Sequence, residues 1–449
     1  MTLTNISFKR IQQLALPAII TGIAEPILSI TDTAIVGNVE HFATESLDAV
    51  GIVGVFLSAL IWILGQSRSV ITAIISQNLG AGKIDELKTF PAQAILFNIA
   101  LSIIVLFVTY FFVEEIFSLL NADGMILDFS IDYYNIRVWG FPLTLFTFAV
   151  FGIFRGLQNT FWPMIIAAVG AGLNIGLDII LVYGVEGYID AMNIKGAAWA
   201  SLISQFVMAV LALIFLLKKT DISLKLVLPL HPEVNRLVTM SLNLFLRSIA
   251  LNTALILGVR EATALGKEEL AAYVITSNIW LFTAFFLDGY GAAGNILGGR
   301  LLGAKDYKSL WILTRRVNYY NMFVVFLLIG LGLIFYEPLG RLFSNEPAVL
   351  SMYNAVFFMV LISLPFNSIA FTFDSIFKGL GEMGYLRNVL LGATLFAFIP
   401  ALYLFKYLDW GLIGIWTALI AWVAYRAFAL IIKYRRKYYP LAKNEVIVH

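Results

Sequence analysis

The chain contains no cysteine. Disulfides, thiol nucleophiles and Cys-ligated metals are therefore excluded. Histidine is almost as scarce. His41, His231 and His449 fall in expected loops or the tail, and no metalloprotease-type pair exists. No Walker-type phosphate loop occurs, so ATP is not the energy source from this chain. Gly298-Gly299 follows an apolar helix and is not a dinucleotide fingerprint. Charged residues make up only 13% of the chain and the net charge is +2, which gives no basis for a nucleic-acid partner. Strand-like alternation is absent, which argues against a transmembrane barrel.

What is abundant is apolar surface. Of 449 residues, 60% are hydrophobic, more than a water-soluble domain of this length could hide. Apolar stretches of about 20 residues recur throughout, the length needed to cross roughly 30 Å of hydrocarbon. The expected spans are approximately 11–37, 47–76, 90–115, 131–153, 162–183, 195–217, 236–260, 270–297, 311–336, 351–376, 385–405 and 412–433. Lys9 and Arg10 precede an apolar stretch too long for a cleavable signal, so it is expected to remain as the first span.

Basic residues orient these spans. The two tails and the loops on their side carry 21 Lys and Arg, among them Lys83, Arg155, Lys218, Lys219, Arg300, Arg315, Arg316 and the Lys433–Lys437 cluster. The opposite loops carry five: Lys195, Arg260, Lys267, Arg341 and Lys406. The positive-inside rule puts both termini in the cytoplasm of a multi-pass protein of the plasma (inner) membrane. The basic tail reads as an anchor at the lipid surface.

The chain also matches itself. A single offset carries Leu47 onto Leu270, Ala49 onto Ala272, Gly80-Ala81 onto Gly303-Ala304, Asn98 onto Asn321, Glu114 onto Glu337, and Pro142 onto Pro365. It also carries Arg155-Gly156-Leu157 onto Lys378-Gly379-Leu380. Trp199 then aligns with Trp416 in a shifted register, as if the first copy had gained a short insertion before its sixth span. The expected fold class is an all-α integral membrane protein with twelve transmembrane helices in two pseudo-twofold-related six-helix lobes. The expected divisions are an N-lobe at 1–217, a cytoplasmic linker at 218–235, a C-lobe at 236–433 and a basic cytoplasmic tail at 434–449. Parallel repeats of this kind occur in secondary transporters, with binding near mid-depth and halves that alternate access.

Charged groups inside spans are costly, roughly 3 kcal/mol each on insertion scales, and mark function by default. The spans contain Glu25, Asp32, Asp178, Asp288 and Asp374, with Arg68, Arg137, Arg247 and Arg426. Under the repeat, Asp32 maps to Leu255, Asn174 to Ala397, Asp178 to Ala401 and Ser201 to Ala418. A scaffold role would be expected in both copies, whereas this polar set exists in one. Asn174 and Asp178 are spaced i, i+4 and share a helix face, as do Glu25 and Asp32 at i, i+7. Pro26 lies between that pair, removes a backbone hydrogen bond and is expected to kink the span. Gly170, Gly172 and Gly176 permit close helix approach. Paired carboxylates in a low dielectric resist ionising together. The set can exchange a proton, hold Na+ with the Asn174 amide and Ser201 hydroxyl, or attract an organic cation. A cluster that only cements the lobe is the bland alternative. Asp374 maps to Phe151 and gives the second copy an acid of its own. Arg68 and Asp288 sit at nearly equivalent repeat depths and are candidates for a latch near the cytoplasmic side.

Several segments resemble one family. The first-span stretch 25–37, Gln77-Asn78-Leu79-Gly80-Ala81-Gly82, and Tyr133 to Pro142 with Ile136-Arg137 carry the resemblance. So do Phe154-Arg155-Gly156-Leu157-Gln158, Asn174-x-x-x-Asp178, and Gly196 to Ser201. Together they are similar to the multidrug and toxic compound extrusion (MATE) family, in particular its DinF-type branch. The resemblance implies twelve helices, a V-shaped cavity, and export driven by inward H+ or Na+. It implies a cation site at Asp32, Asn174, Asp178 and Ser201, with Ala197 contributing a carbonyl, Tyr133 as an aromatic neighbour and Pro26 as the point of bending. Ser201 stands where the family often has Thr, a change that keeps the oxygen. Where one branch carries a carboxylate early in the tenth span, this chain has Pro365-Phe366-Asn367, so that second site is not carried over to Asp374.

The expected activity is secondary antiport. An inward H+ (or Na+) flow would drive efflux of cationic or amphipathic small molecules by alternating access. The protein is expected to be a monomer in the lipid bilayer, not an enzyme, with drug-like partners and no cofactor beyond the coupling ion. The alternative is a flippase of lipid-linked saccharide. That task calls for cations to hold pyrophosphate, and the unmatched set found here is acidic.

Overall fold

A computed structural model describes residues 6–38 and 43–444, apart from the side chains of 25–30, 33 and 43. Among the described residues the regular structure is helical, with one isolated bridge between Val185 and Ile189. The first half contains α1 (Phe8–Val36), α2 (Ala43–Leu64), α3 (Ser67–Gly80), α4 (Phe90–Phe111), α5 (Val113–Leu119), α6 (Gly124–Arg137), α7 (Gly140–Gly156), α8 (Phe161–Tyr183) and α9 (Asn193–Lys219). The second contains α10 (Pro232–Leu265), α11 (Lys267–Gly303), α12 (Tyr307–Phe343), α13 (Pro347–Gly379), α14 (Met383–Ala393), α15 (Ile399–Tyr407) and α16 (Gly411–Asn444).

Among the described residues, ten helices are long and apolar enough to cross a membrane, counting Thr44–Gly80 and Met383–Tyr407 as one each. The α6–α7 pair, bent by 46°, makes an eleventh. The 29 residues of α1 give a further helix of spanning length, since each residue adds about 1.5 Å. These helices fill the twelve expected places in order. Several are longer than their apolar stretch: α11 and α12 have 37 residues each, and α16 continues as helix through the basic cluster to Asn444.

Proline placement explains the irregularities. Pro142 stands in the first turn of α7, just past the break at Val138 and Trp139. Its repeat equivalent Pro365 lies inside the uninterrupted α13. Either way one N–H is missing from the ladder. In the first copy the chain accommodates this with a bend, in the second within a continuous helix. Pro400 follows a π turn at Thr394–Phe398, a wider turn of the kind that relieves such a defect.

The chain forms two compact units. One comprises Ile20–Ile75 and Lys83–Val238; the other comprises Met1–Ile19, Ser76–Gly82 and Thr239–His449. In the first, α8 packs along α9, α4 and α9 pack on α7, and α6 packs on α2 and α9. Its core includes Val36, Val53, Phe117, Tyr134, Val182 and Ile194. In the second, α13 is the central helix and packs on α11, α12 and α16, with Trp416, Trp422, Tyr353 and Phe357 buried around it. Helix α12 turns Phe323, Phe326 and Ile334 outward, as expected where lipid is the solvent.

The repeat is visible in the packing itself. A methyl group on Gly80 would strike the Arg300 carbonyl, and one on Gly303 would strike the Gln77 carbonyl. Gln77 and Arg300 are themselves repeat equivalents, so this contact within the second unit maps onto itself. Likewise Gly156 packs on Thr72 and Ile75, while Gly379 packs on Asn295, the residue equivalent to Thr72. The segment 218–235 is tied to the first unit by Gln93. Its amide donates to the Val227 carbonyl at 2.8 Å and accepts from the His231 backbone N–H at 2.8 Å.

Candidate functional site

Asp32, Asn174, Asp178 and Ser201 come together from α1, α8 and α9, and all four are buried. Close packing of α8 on α9 makes this possible. A side chain at Gly170 would collide with Met208, and one at Gly196 with the Leu181 carbonyl. These contacts bracket Asn174 and Asp178 and press their shared face against Ser201. Gly172 and Gly176 do not take part, because a methyl group on either would meet only open space. The expectation that all three α8 glycines serve helix approach is therefore corrected to Gly170 alone, since the other two point away from α9. The C-terminal half of α1 is fastened to α8 by the Tyr183 hydroxyl, which donates to the Ile35 carbonyl at 2.9 Å.

A short chain of hydrogen bonds links the three helices. The Asn174 amide donates to Ser201 Oγ at 3.3 Å, and Ser201 Oγ donates to Asp32 Oδ2 at 3.4 Å. The carboxyl groups of Asp32 and Asp178 are neighbours, and Arg137 is the cation close to both. Yet Asp32 Oδ1 and both Asp178 oxygens are buried without a donor among the described residues. A buried oxygen of this kind is costly unless something supplies the missing positive end. A proton shared between the carboxyls would do so, and so would a small hard cation. Two carboxylates, an amide oxygen and a hydroxyl form an all-oxygen donor set of the kind a hard cation accepts.

The remaining candidates fall in different places. Tyr133 on α6 is buried beside the acid pair, with the Arg137 guanidinium 5.9 Å from its ring centre. Ala197 lies fully buried one turn before Ser201 on α9. At Glu25 and Pro26 the backbone stays helical, and both side chains lie outside the described residues. Asp374 belongs to a separate cluster, where it pairs with Arg247 at 2.6 Å and Lys378 at 3.2 Å. Arg68 stacks over Phe148 at 5.0 Å, whereas Asp288 is exposed on α11. Among the described residues no three His, Asp or Glu side chains gather as a metal cluster.

Arg137 was legible in the sequence as an intramembrane cation, but not as a neighbour of the acids. Its i, i+4 spacing from Tyr133 is the signal that links it to this site.

The MatE family model matches residues 17–180 and 244–404, one stretch on each copy of the repeat. Among known relatives, the chain is 30% identical over 302 residues to Protein DETOXIFICATION 43 of Arabidopsis thaliana, covering 66% of this chain and 54% of that one. The chain thus spans little more than half the length of that relative. It is 25% identical over 445 residues to DNA damage-inducible protein F of Escherichia coli, covering 97% and 94%. Its fold is similar to that of a Vibrio cholerae MATE transporter, VcmN, in the bent form. The TM-score is 0.87 at 19% identity, over 98% of each chain. The chain belongs to the MATE family.

Proposed function

We propose that this protein is a secondary exporter of cationic or amphipathic small molecules, driven by inward flow of H+, with Na+ as the alternative coupling ion. The observation that carries this reading is the sealed carboxyl pair with three donorless oxygens. Two carboxylates beside Arg137 leave one net negative charge, which a single proton or Na+ neutralises. Inside a low-dielectric bundle that neutralisation changes the local electrostatics by several kcal/mol, enough to bias a two-state helix arrangement. Entry of the ion would relax the hold of α8 and α9 on the outer half of α1 and release substrate outward. A potential of 100 mV supplies roughly 2.3 kcal/mol per charge, so one or two ions support a useful gradient.

The names of the relatives, one for detoxification and one structure of a MATE transporter, support export rather than lipid flipping. The test is efflux from proteoliposomes under separately imposed pH and Na+ gradients. Efflux driven by the pH gradient without Na+ supports H+ coupling. Efflux under the Na+ gradient alone moves the coupling to Na+. Drug movement that ignores both gradients sinks the antiport reading.

A further inference from the structure

The second unit contains a buried charge cluster that the carboxyl-pair reading does not use. Arg247 on α10, Asp374 and Lys378 on α13, and Arg426 on α16 are all buried. Three cations thus share one carboxylate. Each Asp374 oxygen already has a basic partner: Oδ1 accepts from Arg247 and Oδ2 pairs with Lys378. Arg426, only 3% exposed, is left over. Its guanidinium lies 4.9 Å from the Trp422 ring and 5.9 Å from the Phe371 ring. Among the described residues no oxygen accepts from it. The Trp422 indole N–H is spent on Thr394 Oγ1 at 3.1 Å, so its face is what Arg426 meets. Arg247 Nε is also buried without a partner.

A buried cation in this state calls for an anion. The repeat shows that the arrangement is particular to this copy. Lys378 has a basic counterpart in Arg155, but Arg247 maps to Ala24, Asp374 to Phe151 and Arg426 to Ala209. The first copy carries an unmatched acidic set and the second an unmatched basic one. We propose that Arg426, with Arg247, forms an anion site that takes the carboxylate of a flat amphipathic organic acid or zwitterion. A planar guanidinium offers paired in-plane donors that fit a carboxylate. Phe371 beside it, which is only partly buried, adds an apolar face for the body of the ligand. One spare guanidinium suits a single carboxylate better than a pyrophosphate.

The proposal rests on the export reading only in making the occupant a transported compound. Its test is therefore binding, which does not depend on coupling. Purified full-length protein in nanodiscs is dialysed against radiolabelled 2-naphthoate, with 2-naphthamide and 2-naphthyl phosphate as competitors and empty nanodiscs as the blank. Saturable naphthoate binding is expected, with the amide at least tenfold weaker. R426Q should weaken binding tenfold or more, R426K should restore part of it, and D32N should leave it intact. Equal competition by the amide overturns the proposal, as does unchanged binding in folded R426Q. Tighter competition by the phosphate overturns the carboxylate assignment. If R426Q does not fold, the comparison of acid with amide on the unaltered protein decides. Loss of export in D32N with naphthoate binding retained separates the two readings.

Discussion

Ser201 Oγ donates to Asp32 Oδ2 at 3.4 Å, across 169 positions of sequence. The same hydroxyl accepts from the Asn174 amide at 3.3 Å. One small side chain on α9 therefore joins α1 to α8, and in doing so it orients one member of the carboxyl pair.

Replacing Ser201 separates the role of the oxygen from that of its size. Ser201→Thr keeps the hydroxyl and is expected to retain efflux within about threefold. Ser201→Ala leaves Asp32 Oδ2 and Asn174 short of a partner and is expected to cost about 1 kcal/mol of stability, the usual scale for such a bond. Efflux should fall more than tenfold in this variant. Thermal unfolding in detergent and liposomal efflux check the two halves.

The two acid sites should respond oppositely to neutralisation. Asp374→Asn removes the one counter-charge of three buried cations. Breaking a buried pair this way costs about 3–5 kcal/mol. Asp178→Asn instead removes a like charge beside Asp32 and places an amide N–H donor next to the donorless Asp32 Oδ1. That variant is expected to be at least as stable as the parent while losing efflux, the pattern of a site held for function at the expense of stability. Melting temperatures of the two variants, measured side by side, should fall in that order; the reverse order contradicts the assignment.

Glycines on α8 and α9 give a third contrast. Gly196→Ala pushes a methyl group into the Leu181 backbone and is expected to destabilise by about 1–3 kcal/mol. Gly176→Ala meets open space and should be neutral or stabilising by up to about 1 kcal/mol, the helix-propensity difference. Unfolding midpoints decide between this packing and an account in which every α8 glycine matters.

Much of the candidate site was legible in the sequence. Asp32, Asn174, Asp178 and Ser201 are polar in helices where polarity is costly, and their repeat equivalents are aliphatic. That contrast needs no geometry. Arg137 was visible as a charge one turn from Tyr133, a spacing that ties it to the same helix face, but its place beside the acids also depends on α6 packing against α9, which only the fold supplies. The partners of Asp374 were hidden more deeply. Arg247, Lys378 and Arg426 come from three helices, and only tertiary packing brings them together. The bend between α6 and α7 was hidden for another reason. Pro142 and Pro365 occupy the same repeat position, and the surrounding packing decides which of the two accompanies a break. The roles of Gly172 and Gly176 were misread because glycine permits close approach without requiring it.

The central claim is that the carboxyl pair on α1 and α8 couples ion entry to export. Substrate efflux from liposomes under an inward-directed pH gradient, compared between the parent protein and the Asp32→Asn, Asp178→Asn double variant, tests it most directly. The account predicts that the folded double variant still binds substrate but exports at least a hundredfold more slowly, with no response to the gradient. Gradient-driven export at the parent rate in that variant would contradict it.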